Sequence, residues 1–164
     1  MEPKVYLPHE PDYAPGDLLP RAEPRRVLLC TPQHFDVVDV KNRHMEGNAG
    51  QVRRDHAEAQ WQALRNVYER LVREGVLDKV LIIDGQPDCE DMVFCANQTF
   101  PWRTAGGQDV VVMSKMKHPS RQWEIPSFEW FYLNEKYELL HLTGAKVFEG
   151  MGDAIPHPGK RLIY

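Results

Sequence analysis

Two amphipathic segments separated by short apolar runs constrain the fold of this chain more than any other feature. In residues 51–74, apolar side chains recur at spacings of three and four, which is the period of a helix with one buried face. Gly75 follows in the position expected of a helix C-cap. Residues 127–140 repeat the pattern after Pro126, which suits the first turn of a helix. These two segments are the predicted helices.

Short apolar runs before, between and after the helices predict strands. They are residues 26–30, 80–83, 92–100, 109–114, 145–148 and 161–164. We expect a hairpin between residues 92–100 and 110–114. Because several strands separate the helices, the order differs from the one strand per helix of a plain parallel sheet. The pattern indicates a mixed α/β fold built from small structural units.

The two ends of the chain are predicted to differ from its middle. Residues 1–25 are rich in proline and charge and show no periodicity, so we expect an extended N-terminal arm. Residues 26–164 are then the domain. The apolar run at 161–164 reaches the last residue without a cap or a polar tail. We therefore expect a domain truncated at its C-terminus, with the neighbours of its last strand outside this sequence.

Composition excludes several classes of function. The formal net charge of the 164 residues is -4 and no basic stripe is present, which argues against a nucleic-acid partner. No apolar run approaches 18 residues, and the N-terminus lacks the apolar centre of a signal peptide. Three cysteines, Cys30, Cys89 and Cys95, form neither a disulfide framework nor a metal-binding spacing. We expect a cytoplasmic protein without a membrane span, a metal or a cofactor.

Two stretches each bring a polar side chain to the expected end of a strand. Residues 91–100 carry Asn97, and residues 148–154 carry Glu149 followed by glycines that allow close approach. If the two strand ends converge, the side chains form two walls of a small polar pocket. A carboxylate at Glu149 suits a guanidinium, which offers paired donors in a plane. The amide of Asn97 can both accept and donate.

Each candidate residue also has a purely structural explanation. Asn97 could cap a hairpin turn, and Glu149 could accept from backbone amides of the turn that follows it. Asp91 is a weaker member of the predicted pocket, because it could simply begin the strand. Arg121, within the polar residues 115–124, is the candidate for binding a substrate carboxylate, although a solvated loop would have the same composition.

Four motifs in this order resemble the amidinotransferase / arginine deiminase-like superfamily of guanidino-group-modifying enzymes, also called penteins. They are CTPQHFDVV from Cys30, DMVFCAN from Asp91, HPSRQWE from His118 and FEGMGDA from Phe148. The resemblance implies about the first half of a five-bladed α/β propeller of ββαβ units around a polar site. It places the two guanidinium contacts on Asn97 and Glu149. The family chemistry is hydrolysis of, or transfer from, guanidino C–N bonds through a cysteine nucleophile.

Two departures from the family pattern refine this expectation. Many members have aspartate where this chain has Asn97, and an amide there resembles the dihydrolase branches, which release two ammonia molecules. No residue matches the catalytic cysteine or histidine motifs, so Cys30, Cys89 and Cys95 are expected to be packing residues.

The expected function is the N-terminal part of an amidinotransferase-like or arginine-dihydrolase/deiminase-like enzyme. Its substrate would be arginine or a related guanidino compound, its nucleophile would lie in downstream sequence, and the chain alone would be inactive. The alternative is a non-catalytic binding module, or a half-chain that needs a partner to complete the propeller. A homo-oligomer is also left open.

Overall fold

The computed structural model describes residue 5 and residues 13–164, and its contacts divide the chain into two units. The larger unit is Pro24–Ala154. The smaller unit joins the described residues up to Glu23 to Ile155–Tyr164. The strands and α-helices, all in the larger unit, are β1 Arg26–Cys30, α1 Arg54–Arg73, β2 Lys79–Ile83, β3 Thr99–Arg103, β4 Asp109–Met113, α2 Pro119–Gln122, α3 Ile125–Asn134 and β5 Glu138–His141.

The first sheet is a parallel pair joined by the long helix. Strands β1 and β2 pair in register from Arg26 opposite Lys79 to Cys30 opposite Ile83. Parallel neighbours need a crossover connection, and α1 supplies it. The C-terminal end of α1 is as predicted, since Gly75 adopts a φ of +73° immediately after the helix cap. The helix begins three residues later than the start of the predicted segment.

The second sheet has three strands in the order β3-β4-β5. Strands β3 and β4 form the expected hairpin, with Thr99 opposite Met113 and Pro101 opposite Val111. Strand β5 pairs parallel to β4 after the helical crossover. The mixed α/β prediction is confirmed. Both sheets are open, and no closed sheet forms among the described residues.

The predicted strand at residues 92–100 is wrong over most of its length. The backbone from Asp91 to Asn97 forms successive turns, in which Phe94 N donates to Asp91 O at 2.9 Å and Asn97 N donates to Phe94 O at 3.2 Å. The strand begins only at Thr99. The apolar pattern misled because Met92, with 1% of its surface exposed, reaches the core from a turn.

The second predicted helix is also too long. Helix α3 ends at Asn134, and Lys136 adopts a φ of +66° that no helix tolerates. The chain then re-enters the sheet as β5, which replaces the end of the predicted segment 127–140. Leu139 continues the helical spacing but packs against the core from this strand.

In the smaller unit, the predicted strand at residues 161–164 is replaced by isolated pairing. Ile155 and Tyr164 exchange backbone hydrogen bonds at 3.0 and 2.9 Å, and the chain reverses near Gly159, whose φ is +76°. The described arm residues take part, since Pro20 bridges to Lys160. The remainder of the predicted arm, residues 1–4 and 6–12, lies outside the described residues.

One apolar cluster joins both sheets to α3 in the larger unit. Its buried members are Cys30, Ile83, Cys89, Met92, Val111, Met113, Phe128 and Tyr132. Phe128 and Val111 are fully inaccessible to solvent. Among the described helices, none has the length and apolarity that crossing a bilayer requires.

Replacement of Phe128 tests this core. Phe128→Ala removes a fully buried ring and leaves a cavity between α3 and the sheets, so we expect a loss of about 3–5 kcal/mol in the free energy of unfolding. Urea denaturation followed by circular dichroism measures it. The control is Trp130→Ala on the same helix, where the ring is 71% exposed and the change should stay within about 0.5 kcal/mol.

Candidate functional site

The turn segment of residues 91–97 and the segment of residues 148–154 meet, as the sequence predicted for the two candidate stretches. Met151 N donates to Ala96 O at 2.9 Å. A β-carbon on Gly150 would lie 2.5 Å from Thr99 O, and one on Gly152 would lie 2.6 Å from Nδ2 of Asn97. Glycine is therefore required at position 150, where the neighbours are backbone atoms, whereas at position 152 a side chain would displace the Asn97 amide. We call the place where these segments meet the candidate site.

Glu149 lies at the start of the short 3-10 turn Gly150–Gly152. Its Oε1 accepts from Lys117 N at 3.1 Å, and its own backbone N donates to Asp153 Oδ2 at 2.8 Å. The side chain is half-buried. Glu149 therefore does accept from a backbone amide, as its structural explanation expected. The amide belongs to Lys117 in the loop before α2 and not to the turn that follows Glu149.

Asn97 and Arg121 contact each other directly. Arg121 Nη1 donates to Asn97 Oδ1 at 3.3 Å, and Arg121 Nη2 lies 3.4 Å from the carbonyl oxygens of both Asp91 and Phe94. Only 11% of the Arg121 side chain is exposed. In this conformation Arg121 binds the chain itself, so engaging a substrate carboxylate would require it to leave at least one of these partners.

Asp91 is buried and faces Lys41. Its Oδ2 lies 2.9 Å from Lys41 Nζ, an ion pair whose angles fall outside those of a hydrogen bond, and its Oδ1 has no hydrogen-bond partner among the described residues. Lys41 also binds Glu90 at 2.6 Å and Asp39. Burial opposes the charge on Lys41, but its contacts with the carboxylates of Asp39, Glu90 and Asp91 raise its pKa above the ordinary value.

Glu124 and Gln98 form a second buried polar pair beside Arg121. Gln98 Nε2 donates to Glu124 Oε2, and Arg121 Nη2 lies 3.4 Å from the same oxygen. The Glu124 residue is 1% exposed. Burial raises the pKa of Glu124, and the positive charge of Arg121 opposes that rise only in part.

Sequence analysis missed four of these residues: Lys41, Glu90, Gln98 and Glu124. The spacing of Arg121 and Glu124, three apart, is the one local signal that pairs any of them. Lys41 lies 49 positions before Glu90 and 50 before Asp91, so these two contacts leave no pattern in the sequence.

The cysteines are unsuited to nucleophilic attack. Burial raises the pKa of Cys30 to about 12, and burial also raises the pKa of Cys89 and of Cys95. The Cys95 thiol donates to Leu28 O at 3.3 Å. Since the thiolate is the reactive form, these groups are protonated and unreactive near neutral pH. Within residue 5 and residues 13–164, no cluster of three metal-ligating side chains is found.

An open cleft of about 350 Å³ lies elsewhere in the larger unit, at the end of β2. It is lined by Ile82, Ile83, Asp84, Gln86, Ser127, Trp130 and Phe131. None of these residues belongs to the candidate site.

The chain is similar to known proteins over part of their length. No protein-family model matches the chain. Over 130 residues it is 38% identical to AgrE of Nostoc sp., a bifunctional arginine dihydrolase/ornithine cyclodeaminase, covering 79% of this chain and 17% of AgrE. The chain is homologous to part of AgrE, and its structural neighbours have the pentein (amidinotransferase-like) fold. The resemblance predicted from the four sequence motifs is thereby confirmed.

Solved structures agree with this assignment. A complex of L-arginine with an AgrE variant, in which a cysteine is replaced by alanine, has a TM-score of 0.73 at 33% identity, over 87% of this chain and 19% of that one. The substrate-bound N-terminal domain of ArgZ, an arginine dihydrolase from cyanobacteria, has a TM-score of 0.66 at 31% identity, over 79% of this chain and 44% of that one. The chain spans less than half of each of these relatives, and it is homologous to the N-terminal domain.

Alanine at Gly150 should disrupt the contact that forms the candidate site. The new β-carbon would meet a backbone carbonyl at 2.5 Å in a residue whose φ is +55°, so we expect Gly150→Ala to lower the free energy of unfolding by about 2–4 kcal/mol. Gly144→Ala is the control, because its β-carbon would enter open space. Equal unfolding midpoints for the two variants would contradict the close approach.

Thiol labelling tests the environment of Cys30. At pH 8 a thiol with a pKa of about 12 is almost wholly protonated, so iodoacetamide should modify Cys30 far more slowly in the native chain than in urea. The unfolded chain, whose thiol returns to its ordinary pKa near 9.0, is the control. Peptide mass spectrometry follows each cysteine. Rapid native labelling of Cys30 would show an exposed or activated thiol.

Proposed function

We propose that this chain forms the guanidinium-binding part of an arginine dihydrolase-like domain that acts on arginine or a closely related guanidino compound. The observation that carries the proposal is the meeting of the turn Gly150–Gly152 with Asn97, which sets Glu149 and Asn97 on adjoining segments. The relatives support it, since an AgrE variant has been solved with L-arginine.

The chemistry of the two side chains suits a flat cation. A guanidinium carries only donors and therefore needs acceptors around its edge. Glu149 offers two carboxylate oxygens, of which Oε1 already accepts from one backbone amide. Asn97 Oδ1 accepts from Arg121 and has a second lone pair. We propose these as the guanidinium contacts.

The charges around the candidate site also favour a positively charged ligand. Among the described residues, the four carboxyl groups of Asp39, Glu90, Asp91 and Glu124 pair with two permanent cations, and Asp39 also lies 3.2 Å from His118 Nε2. Since Lys41 and Arg121 are fewer than the carboxyl groups they face, acidic groups are in excess in this cluster. In the proposed complex, Asp91 is a member of the pocket wall, and Arg121 binds the substrate carboxylate after exchanging one of its internal contacts.

Catalysis needs a group that we place outside these 164 residues. In the chemistry implied by the family resemblance, a thiolate attacks the guanidinium carbon and one C–N bond breaks to release ammonia, and water then displaces the thiolate from the covalent amidino-enzyme intermediate. The burial of Cys30, Cys89 and Cys95 supports a nucleophile supplied by further sequence of the same protein or by a second chain. The same addition would complete the five-bladed propeller.

Arginine titration of the chain tests the proposal. Isothermal calorimetry should detect L-arginine binding, and Asn97→Ala and Glu149→Gln should each weaken it about tenfold or more, because each removes a hydrogen bond to a charged group. Asn134→Ala and Glu138→Gln are matched controls at exposed positions, on α3 and β5. Ammonia release should remain at background.

The outcomes separate the candidate functions. Absence of binding by the folded chain, or equal weakening by the control variants, would contradict the proposed site. Binding without ammonia release supports a binding module or a half-chain that needs completion. Ammonia release by the chain alone would show that the nucleophile is among its own residues.

A further inference from the structure

Glu124 has a buried carboxyl group that is not among the proposed guanidinium contacts. We propose that Glu124 is a positioning residue, which holds Arg121 so that Arg121 fixes the orientation of the Asn97 amide. The expected effect on arginine affinity rests on the proposed function, but the positioning of Arg121 and Asn97 can be tested without any ligand.

Glu124 holds one side of the Arg121 guanidinium. Its Oε1 lies 3.5 Å from Arg121 Nε, and its Oε2 lies 3.4 Å from Nη2. Gln98 Nε2 donates to the same Oε2, which gives the carboxyl group a second fixed partner. All three side chains are at most 11% exposed, so water does not compete for these contacts.

The other side of the guanidinium is directed at the turn segment. Arg121 Nη2 reaches the carbonyl oxygens of Asp91 and Phe94 at 3.4 Å, and Nη1 reaches Asn97 Oδ1 at 3.3 Å. One arginine therefore links helix α2 to the turn that carries Asn97.

The amide of Asn97 has two orientations, and only one of them is compatible with Arg121. Because a guanidinium only donates, it can bind the oxygen of the amide and never its nitrogen. This contact directs Oδ1 to Arg121 and Nδ2 to Gly152, whose missing β-carbon would lie 2.6 Å away. A rotation of 180° would place donor against donor at Arg121.

Charge balance explains why Glu124 is needed. Asn97 is neutral and cannot compensate the buried charge of Arg121, so the counter-charge comes from Glu124. Burial raises the pKa of Glu124, and Arg121 lowers it, which is the reciprocal stabilisation expected of such a pair. Removing the charge at Glu124 should free Arg121 to leave the turn and should release the Asn97 amide.

Nuclear magnetic resonance of the ligand-free chain provides the test. In Glu124→Gln, which preserves size, we expect the Arg121 Nε–H signal to lose protection from exchange and the Asn97 side-chain amide signals to shift. Glu124→Asp, which preserves charge, should restore part of both. Glu135→Gln is the control, since it removes an ion pair to Lys79 near the end of α3 and should change neither signal.

Arginine affinity provides the functional arm. If the proposed function holds, Glu124→Gln should weaken L-arginine binding about tenfold, the size of one lost charged hydrogen bond. If the Asn97 signals shift in Glu124→Gln but the wild-type chain binds no arginine, the positioning role is supported and the proposed function is contradicted. Unchanged Asn97 and Arg121 signals in folded Glu124→Gln would overturn the positioning role.

A second variant covers the case in which Glu124→Gln does not fold. Arg121→Lys keeps the charge beside Glu124 but loses the planar fork that reaches Asn97 and Glu124 together. Its Asn97 side-chain amide signals should shift to values like those of an unrestrained asparagine. Wild-type signals in Arg121→Lys would overturn the proposal.

Discussion

The candidate site depends on a backbone contact that leaves no room for a side chain. The turn Gly150–Gly152 lies against the backbone of Asn97 and Thr99 so closely that a β-carbon on Gly150 would overlap two carbonyl groups. Strand pairing brings the two segments into the same region, because Lys115, just after β4, bridges to Phe148. Two glycines then allow the final approach, and the position of Glu149 relative to Asn97 follows from that geometry.

Two buried cationic side chains hold residues 91–97 in place, because the segment is not part of a β-sheet. The segment has no ladder partner along most of its length, yet Arg121 binds two of its carbonyl groups and Lys41 pairs with Asp91. Buried ion pairs recover their desolvation cost only when their geometry is good and their remaining groups are bonded. The order of this segment therefore depends on one side chain from helix α2 and one from the loop that carries Lys41.

Local periodicity predicted the elements whose pattern is set by their own neighbours, which are β1, β2, β4 and α1. It failed at residues 92–100 because the apolar residues there reach the core from turns, and only tertiary contacts distinguish this from a strand. At the site, Asn97 and Glu149 were located through motif order. The partners Lys41 and Gln98 had no sequence signal, since each meets its carboxylate through the fold alone.

Pro101 limits how the second sheet can grow. Thr104 N donates to Gln108 O, so by alternation the pair of Pro101 and Val111 falls between hydrogen-bonded pairs, and the proline nitrogen faces away from β4. The outer edge of β3 thus lacks a backbone N–H donor at its centre. This absence disfavours pairing with an edge strand of another sheet. Any polypeptide that pairs with this flank must omit the hydrogen bond at Pro101, so side-chain packing has to contribute more of its stability there.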